Sequence, residues 1–227
     1  MKPLSWVVKI IGGANWSVLE QAQAQPSEPL ALPVQVEIDG IELLLRHMEP
    51  GDEAAMLSFA RALPVHDLLF LRRDITQPDQ VAALVQAVES GLSETVIALR
   101  GNEVVGYANV ASDGITWTRH VRELRVLVAE SMRGHHLGRL LTEQAFAVAR
   151  AQGAKKMIAQ MTVDQQAAIS VFKRLGFVAE AKLRNQVMDR EGQLHDLQIM
   201  SLDVDAFRAR LEFALNATAM PRPESIG

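Results

Sequence analysis

The apolar positions of this chain change period repeatedly, and each change marks an element. From Val34 the stretch VQVEIDGIELLLRHM holds two apolar runs around Asp39-Gly40. Two such runs about an Asp-Gly pair predict a hairpin. After Gly51-Asp52 the period lengthens, and Ala55, Met56, Phe59, Ala60 and Leu63 fall on one side of a helix. Thr76-Gln77-Pro78-Asp79 reads as a capping-box start with proline in the first turn, and Val81, Leu84, Val85 and Val88 continue as a helical stripe up to Gly91. TVIALR and VVGYANV flank Gly101-Asn102 as a second hairpin, and the loop ASDGITWT leads into a strand from His120 to Val128.

The strongest helical pattern follows. Leu137, Leu140, Leu141, Ala145, Val148 and Ala149 keep the i, i+3, i+4, i+7 spacing, with Gly153 as the stop. KKMIAQM is a short strand, Gln165 to Leu175 a helix carrying Ala168, Ile169 and Phe172, and 177–188 with 193–202 a last hairpin around Asp189 to Gly192. A helix over 203–215 and a proline-rich tail end the chain. The predicted order is ββ-αα-βββ-α-β-α-ββ. Only the segment through 120–161 is a strand–helix–strand suited to a parallel crossover, so the fold class is α/β with a mixed sheet flanked by helices.

Three segments result. Residues 1–33 read as an N-terminal extension and linker, since QAQAQPSEPLALP keeps neither period. Residues 34–203 form the domain, and 204–227 the C-terminal helix and tail. Lys9 interrupts the short apolar stretch near the N-terminus, so no signal peptide is expected. No apolar run reaches the ~18 residues of a membrane span.

Composition narrows the chemistry. The 227 residues are 48% hydrophobic and 22% charged with net charge −4, a globular profile without the basic excess of a nonspecific nucleic-acid binder. There is no cysteine, which excludes disulfides, thiolate nucleophiles and Cys-ligated zinc. These features fit a cytoplasmic protein.

The chemically informative stretch is residues 123–149, ELRVLVAESMRGHHLGRLLTEQAFAVA. An apolar strand runs into Arg133, Gly134, His135, His136, Leu137, Gly138 and Arg139, which open the helix. A helix start exposes N–H groups and the positive end of the helix dipole, an anion site suited to pyrophosphate. The plain alternative is a glycine-containing loop with two solvated arginines. His135 and His136 are read as members of this loop and not as metal ligands, because no acidic cluster accompanies them; no metal is expected. Neither a Walker A nor a GxGxxG pattern is present.

The stretch V-x-E-x-x-R-G-x-x-L-G followed by an apolar helix resembles the acyl-CoA-binding core of the GNAT superfamily of N-acetyltransferases. Arg133 and Gly138 match the ends of that family's Arg/Gln-x-x-Gly-x-Gly/Ala pattern, and His136 stands at its first glycine. A second family signature, Asn-x-x-Ala-x-x-x-Tyr-x-x-x-Gly-Phe, resembles Gln165 to Phe177. Ala168, Gly176 and Phe177 match it, while Gln165 and Phe172 replace the usual Asn and Tyr. A looser likeness of ARALPVHDLLFLRRDI and REGQLHDLQIMSL points to GNAT domains linked with bacterial protein-lysine acetylation.

The resemblance implies a sheet whose central strands splay, with acetyl-CoA as co-substrate. It implies that Leu127 and Val128 meet the pantetheine arm and polarise the thioester, that the 133–139 turn holds the pyrophosphate, and that Gln165 and Phe172 line the cofactor site. Glu123 occupies a strand position where some members carry a glutamate base; the alternative is a plain Glu123–Arg125 pair. His120 is the second base candidate, and His195-Asp196 is read as structural. The implied activity is direct transfer of acetyl from acetyl-CoA to a primary amine, small molecule or lysine, in a ternary complex. The alternative is a catalytically weak acyl-CoA-binding sensor. The implied partners are acetyl-CoA and an amine acceptor, with no nucleic acid and no membrane, in a monomer or a homodimer. The acceptor pocket is expected from residues 52–92 and the last hairpin.

Overall fold

The computed structural model describes residues 29–207 and 209. The expected extension before residue 29 and most of the expected C-terminal helix lie outside these; residues 204–207 are helical. The elements follow the expected order: β1 (Val34–Ile38), β2 (Ile41–His47), α1 (Glu53–Ala62), α2 (Pro78–Glu89), β3 (Ser93–Arg100), β4 (Glu103–Ala111), β5 (Val121–Val128), α3 (Leu137–Ala151), β6 (Lys156–Thr162), α4 (Gln166–Arg174), β7 (Val178–Met188) and β8 (Leu194–Asp203). One local expectation fails. Gln77, not Thr76, caps α2, and no side chain closes a capping box. Thr76 instead gives its N–H and hydroxyl to Asp74 Oδ1 at 3.1 and 2.6 Å, a local Asx-type bond that competes with the cap.

The strands form one sheet in the order β1-β2-β3-β4-β5-β6-β8-β7. Every pairing is antiparallel except β5 with β6, the one crossover, which runs through α3. That parallel pairing is short. It joins Val121, Arg122 and Glu123 to Lys156, Met157 and Ile158 and then stops, while β5 stays paired to β4 as far as Val128. Beyond Glu123, therefore, one edge of β5 faces a wedge between the central strands. This is the expected splay.

The groups on that open edge follow from the alternation of strand hydrogen bonding. At one end the His120 carbonyl accepts N–H bonds from Lys155 and Lys156 on the β6 side, at 2.9 and 3.2 Å. At the other, the Ala129 N–H donates to the Val105 carbonyl on the β4 side at 2.9 Å. Even-numbered residues thus turn their main chain to the wedge, and odd-numbered ones to β4.

Helices cover both faces. Leu137, Leu141 and Phe146 of α3 with Ile169 and Phe172 of α4 pack on Leu124, Ala108 and Met161. Met56 and Phe59 of α1 with Val81 and Leu84 of α2 pack on Ile97, Tyr107 and Leu127. Leu137 and Leu141 are fully buried. At about 1.5–3 kcal/mol for each such side chain, they pin the first turns of α3 against the sheet.

Gly176 is the tightest point after α4. Its φ is +91°, and a Cβ there would stand 2.8 Å from Phe207 Cδ2. Gly176→Ala combines a left-handed backbone with a clash against a buried ring. It is expected to cost well over ~1 kcal/mol, lowering the denaturant midpoint without changing the m-value.

Candidate active site

Two cavities flank β5. The larger, about 760 Å³, lies in the wedge on the α3–α4 side; its walls include Val126, Val128, Arg133, His136, Gly138 and Gln165. The smaller, about 280 Å³, lies on the α1–α2 side; its walls include Arg72, Ser93, Tyr107, Asn109, Glu123 and Arg125. The loop after α1 touches both, with Phe70 in the wall of the first and Leu71 in that of the second.

The first cavity has a strand edge along it and a helix end at its mouth. By the alternation above, Val126 and Val128 present N–H and C=O groups to it. Leu127 does not: it pairs with Tyr107, turns its main chain to β4 and buries its side chain in the opposite core. Of the two residues expected at the thioester, Val128 thus lies with Val126 on the open edge and Leu127 does not, because a strand alternates its edges residue by residue. The N–H groups of Leu137, Gly138 and Arg139, the first turn of α3, have no carbonyl one turn earlier in the helix.

His136 holds φ +62° at the head of α3, the left-handed conformation that a glycine adopts most cheaply. The sequence thus keeps the backbone turn where the family's glycine stands and adds an imidazole to the cavity wall. His135 turns away from the cavity and meets Asp39 of the β1–β2 turn at 3.0 Å.

The cations of the turn already have partners. Arg133 pairs with Asp67 of the α1–α2 loop and lies 3.6 Å from Glu130. Arg139 Nε donates to Glu143 Oε1 at 2.6 Å, one turn along α3. Burial raises the Glu143 pKa against the opposing pull of Arg139. An anion at the turn must compete with these carboxylates. Asp67→Asn is therefore expected to tighten CoA binding by up to about fivefold, the ~1 kcal/mol of one partly exposed pair, as read by titration calorimetry. Unchanged or weaker binding would rule out competition between Asp67 and the ligand for Arg133.

Gln165 and Phe172 both line the same cavity, at the start and in the last turn of α4. Phe172 is buried, edge-on to Phe177 at 5.1 Å between centroids, and has no hydroxyl to offer. Arg174 also lines this cavity, a cation that the helical pattern of α4 did not single out.

The second cavity is built around Glu123, only 5% exposed, on the last paired rung of β5 and β6. Its Oε2 pairs with Arg125 two residues along the same face, and with Arg72 Nε at 2.9 Å from the α1–α2 loop. Arg125 also donates to Asn109 Oδ1 at 3.3 Å, and the Asn109 amide donates to Thr95 Oγ1 at 2.8 Å. The Glu123–Arg125 pair weighed from the sequence is present, but it is part of a buried cluster inside a pocket and not a solvated surface pair. Tyr107 belongs to this pocket. Burial, the largest effect, together with nearby Glu123 lifts its pKa to about 12 against the pull of Arg125, so the phenol stays protonated at neutral pH. His120 is exposed at the outer end of the strand and lines neither cavity.

His66 and His195, from the α1–α2 loop and β8, stand edge-on at 5.5 Å between ring centroids. His66 contacts Asp164 at 2.8 Å and Thr162 at 3.1 Å, and His195 contacts Asp189 at 2.8 Å. The sequence-level reading missed Asp67, Arg72 and His66. All three lie in an aperiodic loop, inside the stretch ARALPVHDLLFLRRDI that carried the looser family likeness, and nothing in that likeness assigned them a role. Among the described residues no group of three or more His, Asp or Glu side chains could hold a metal ion, and no helix is long and apolar enough to cross a membrane.

A mixed sheet opened beside one strand, with a helix start at the mouth of the opening, defines an acyltransferase-type architecture. Residues 65–177 match the Acetyltransferase (GNAT) family, and the chain carries a GNAT-family domain. An L-methionine sulfoximine/L-methionine sulfone acetyltransferase of Pseudomonas aeruginosa is 33% identical over 111 residues, 47% of this chain and 62% of that protein. The match to its Pseudomonas paraeruginosa counterpart has the same extent, so the chain spans under two thirds of the curated relatives it matches. Among solved structures, a ribosomal-protein-alanine N-acetyltransferase from Brucella melitensis is 24% identical with a TM-score of 0.63, over 71% of this chain and 99% of that one. A putative acetyltransferase from Salmonella typhimurium with its cofactor acetyl-CoA is 24% identical with a TM-score of 0.62, over 72% and 94%. A spermidine N-acetyltransferase from Vibrio cholerae in complex with CoA and spermine is 16% identical with a TM-score of 0.60, over 73% and 98%. These structures share the fold.

Proposed function

We propose that the protein is an acetyl-CoA-dependent N-acetyltransferase acting on a primary amine. The observation that carries this is the open edge of β5 leading into the first turn of α3, so that a strand edge and an anion site are continuous in one cavity. A pantetheine arm extends a strand edge through its two amides, which fits the N–H and C=O groups of Val126 and Val128. The pyrophosphate belongs at the N–H groups of Leu137, Gly138 and Arg139, with Gly134, His136, Arg133 and Arg139 around it. Gln165 and Phe172 close the α4 side.

The acceptor enters from the opposite face, where Glu123 and the α1–α2 loop meet β5. An amine of pKa ~10.4 is mostly protonated at neutral pH and must lose its proton before it attacks. Glu123, directly or through water, takes that proton. The nitrogen then forms a bond to the thioester carbonyl carbon and gives its second acidic proton to solvent, the carbon–sulfur bond breaks, and CoA leaves as a thiolate that takes a proton from solvent. With a thiol pKa of ~8.5, that thiolate is a tolerable leaving group without an acid at Phe172. A main-chain N–H on the open edge of β5, from Val126 or Val128, stabilises the oxygen on which charge develops.

Thiol release from acetyl-CoA over a panel of metabolite amines and lysine peptides tests this, alongside calorimetric binding of CoA. Transfer to at least one amine class is expected. Tight CoA binding with no transfer to any amine would favour the sensor reading, which the missing hydroxyl at Phe172 keeps in view.

A further inference from the structure

Three side-chain atoms in the described structure are shut off from solvent without a hydrogen-bond partner: Ser93 Oγ, Glu123 Oε1 and Arg125 Nε. All three residues line the 280 Å³ pocket on the α1–α2 side of β5. A buried polar group left unpaired costs about 1–3 kcal/mol, so three in one place mark a site built for complementary groups from outside the chain. Their chemistry differs. A carboxylate oxygen only accepts, a guanidinium N–H only donates, and a hydroxyl does either. The matching ligand therefore carries both a donor and an acceptor.

The two charged atoms are also close together. Oε2 of Glu123 touches the Arg125 guanidinium, so the unpartnered atoms belong to side chains already in contact. Arg72 pairs with the same Glu123 oxygen, and Arg73 and Asp113 complete the charged wall. Three arginines against two carboxylates leave the wall with a cationic excess. A simple amine would satisfy Glu123 but would meet that excess with its own positive charge and leave Arg125 Nε unmatched. The remaining wall includes Leu71, Ile75, Leu84, Leu92 and Ile158, which suits an uncharged side chain of modest size.

We propose that this pocket is the acceptor subsite for a free α-amino acid with an apolar side chain, its amine on Glu123 and its carboxylate on Arg125, Arg72 and Ser93. This deepens the acetyltransferase reading and rests on it for the reaction, but the binding claim stands by itself. A lysine side chain in a protein brings an amine without a neighbouring carboxylate, and so leaves the arginines unanswered.

The test is calorimetric titration of the full-length protein, with and without saturating CoA, against matched ligands. Leucine and methionine are compared with leucinamide and methioninamide, with the decarboxylated amines 3-methylbutylamine and 3-(methylthio)propylamine, and with an Nα-acetyl-lysine methylamide as the peptide-like lysine. The free acids are expected to bind at least tenfold more tightly than all the others. Arg72→Gln, at a side chain more than half exposed, is expected to remove most of the preference for acid over amide. Equal binding of acid and amide, tighter binding of the lysine probe, or no binding of either amino acid would each overturn the proposal. Loss of CoA binding in the same titrations would sink the transferase reading instead, and the amino-acid titrations on the protein alone would still decide the pocket.

Discussion

Glu123→Gln is expected to lower turnover by about 10²–10⁴-fold, the usual contribution of a general base and roughly 2.7–5.5 kcal/mol in the barrier. The substitution keeps the shape of the side chain and one acceptor oxygen but removes the charge. CoA affinity should stay close to that of the wild type, because the proposed pyrophosphate site lies past the other end of β5. The structure adds a second effect that the isolated strand did not suggest. Glu123 neutralises Arg125, whose side chain is only 12% exposed, and breaking one partner of a buried pair strands the other. The variant should therefore also melt earlier. Steady-state turnover at saturating acetyl-CoA, measured beside the melting temperature, separates the two roles. A folded variant that melts earlier yet turns over normally would reduce Glu123 to a structural anion and leave water as the proton acceptor.

Gly138→Glu is expected to weaken CoA binding by at least about 100-fold, since juxtaposing like charges at a binding surface costs several kcal/mol. The position is in the first turn of α3, where the helix end attracts anions. A Cβ there would sit 3.5 Å from Val128 Cγ2, an ordinary contact, so the protein should fold. The new carboxylate would then stand in the cavity beside Arg133 and Arg139. Gly138→Ala serves as the control and should retain most of the affinity. Calorimetry giving the same CoA affinity for Gly138→Glu as for wild type would remove the turn from the binding site.

The two sites differ in how much of each was legible in the chain. The turn is local. Arg133, Gly134, His136 and Gly138 lie within a few residues, and the strand before them and the helix after them announce themselves by period. The left-handed φ of His136 was the one local feature hidden by its residue type, because the pattern there asks for glycine. The acceptor-side cluster is not local. Glu123 and Arg125 were visible as neighbours on one strand face, but Arg72, Asn109, Tyr107 and Ser93 come from a loop and two other strands, and no local pattern around them records that they meet Glu123. Thr76 shows the opposite failure, a convincing local signal overruled by a competing bond to Asp74.

What the sequence by itself determined was the list of elements, their order, the single crossover and the helix start proposed as the anion site. Hydrophobic period and turn chemistry are set by residues a few positions apart, so they survive without knowledge of the rest of the chain. Only the tertiary structure decided which edge of β5 is free. It ends the β5–β6 pairing at Glu123 and so gives the main chain of Val126 and Val128, not Leu127, to the wedge. It alone brings Arg72 onto Glu123 and Asp67 onto Arg133, contacts made by a loop that reaches across both cavities. The physical reason is the same in each case. Edge exposure and charge pairing depend on what a distant segment places alongside, and no periodicity in the segment itself records it.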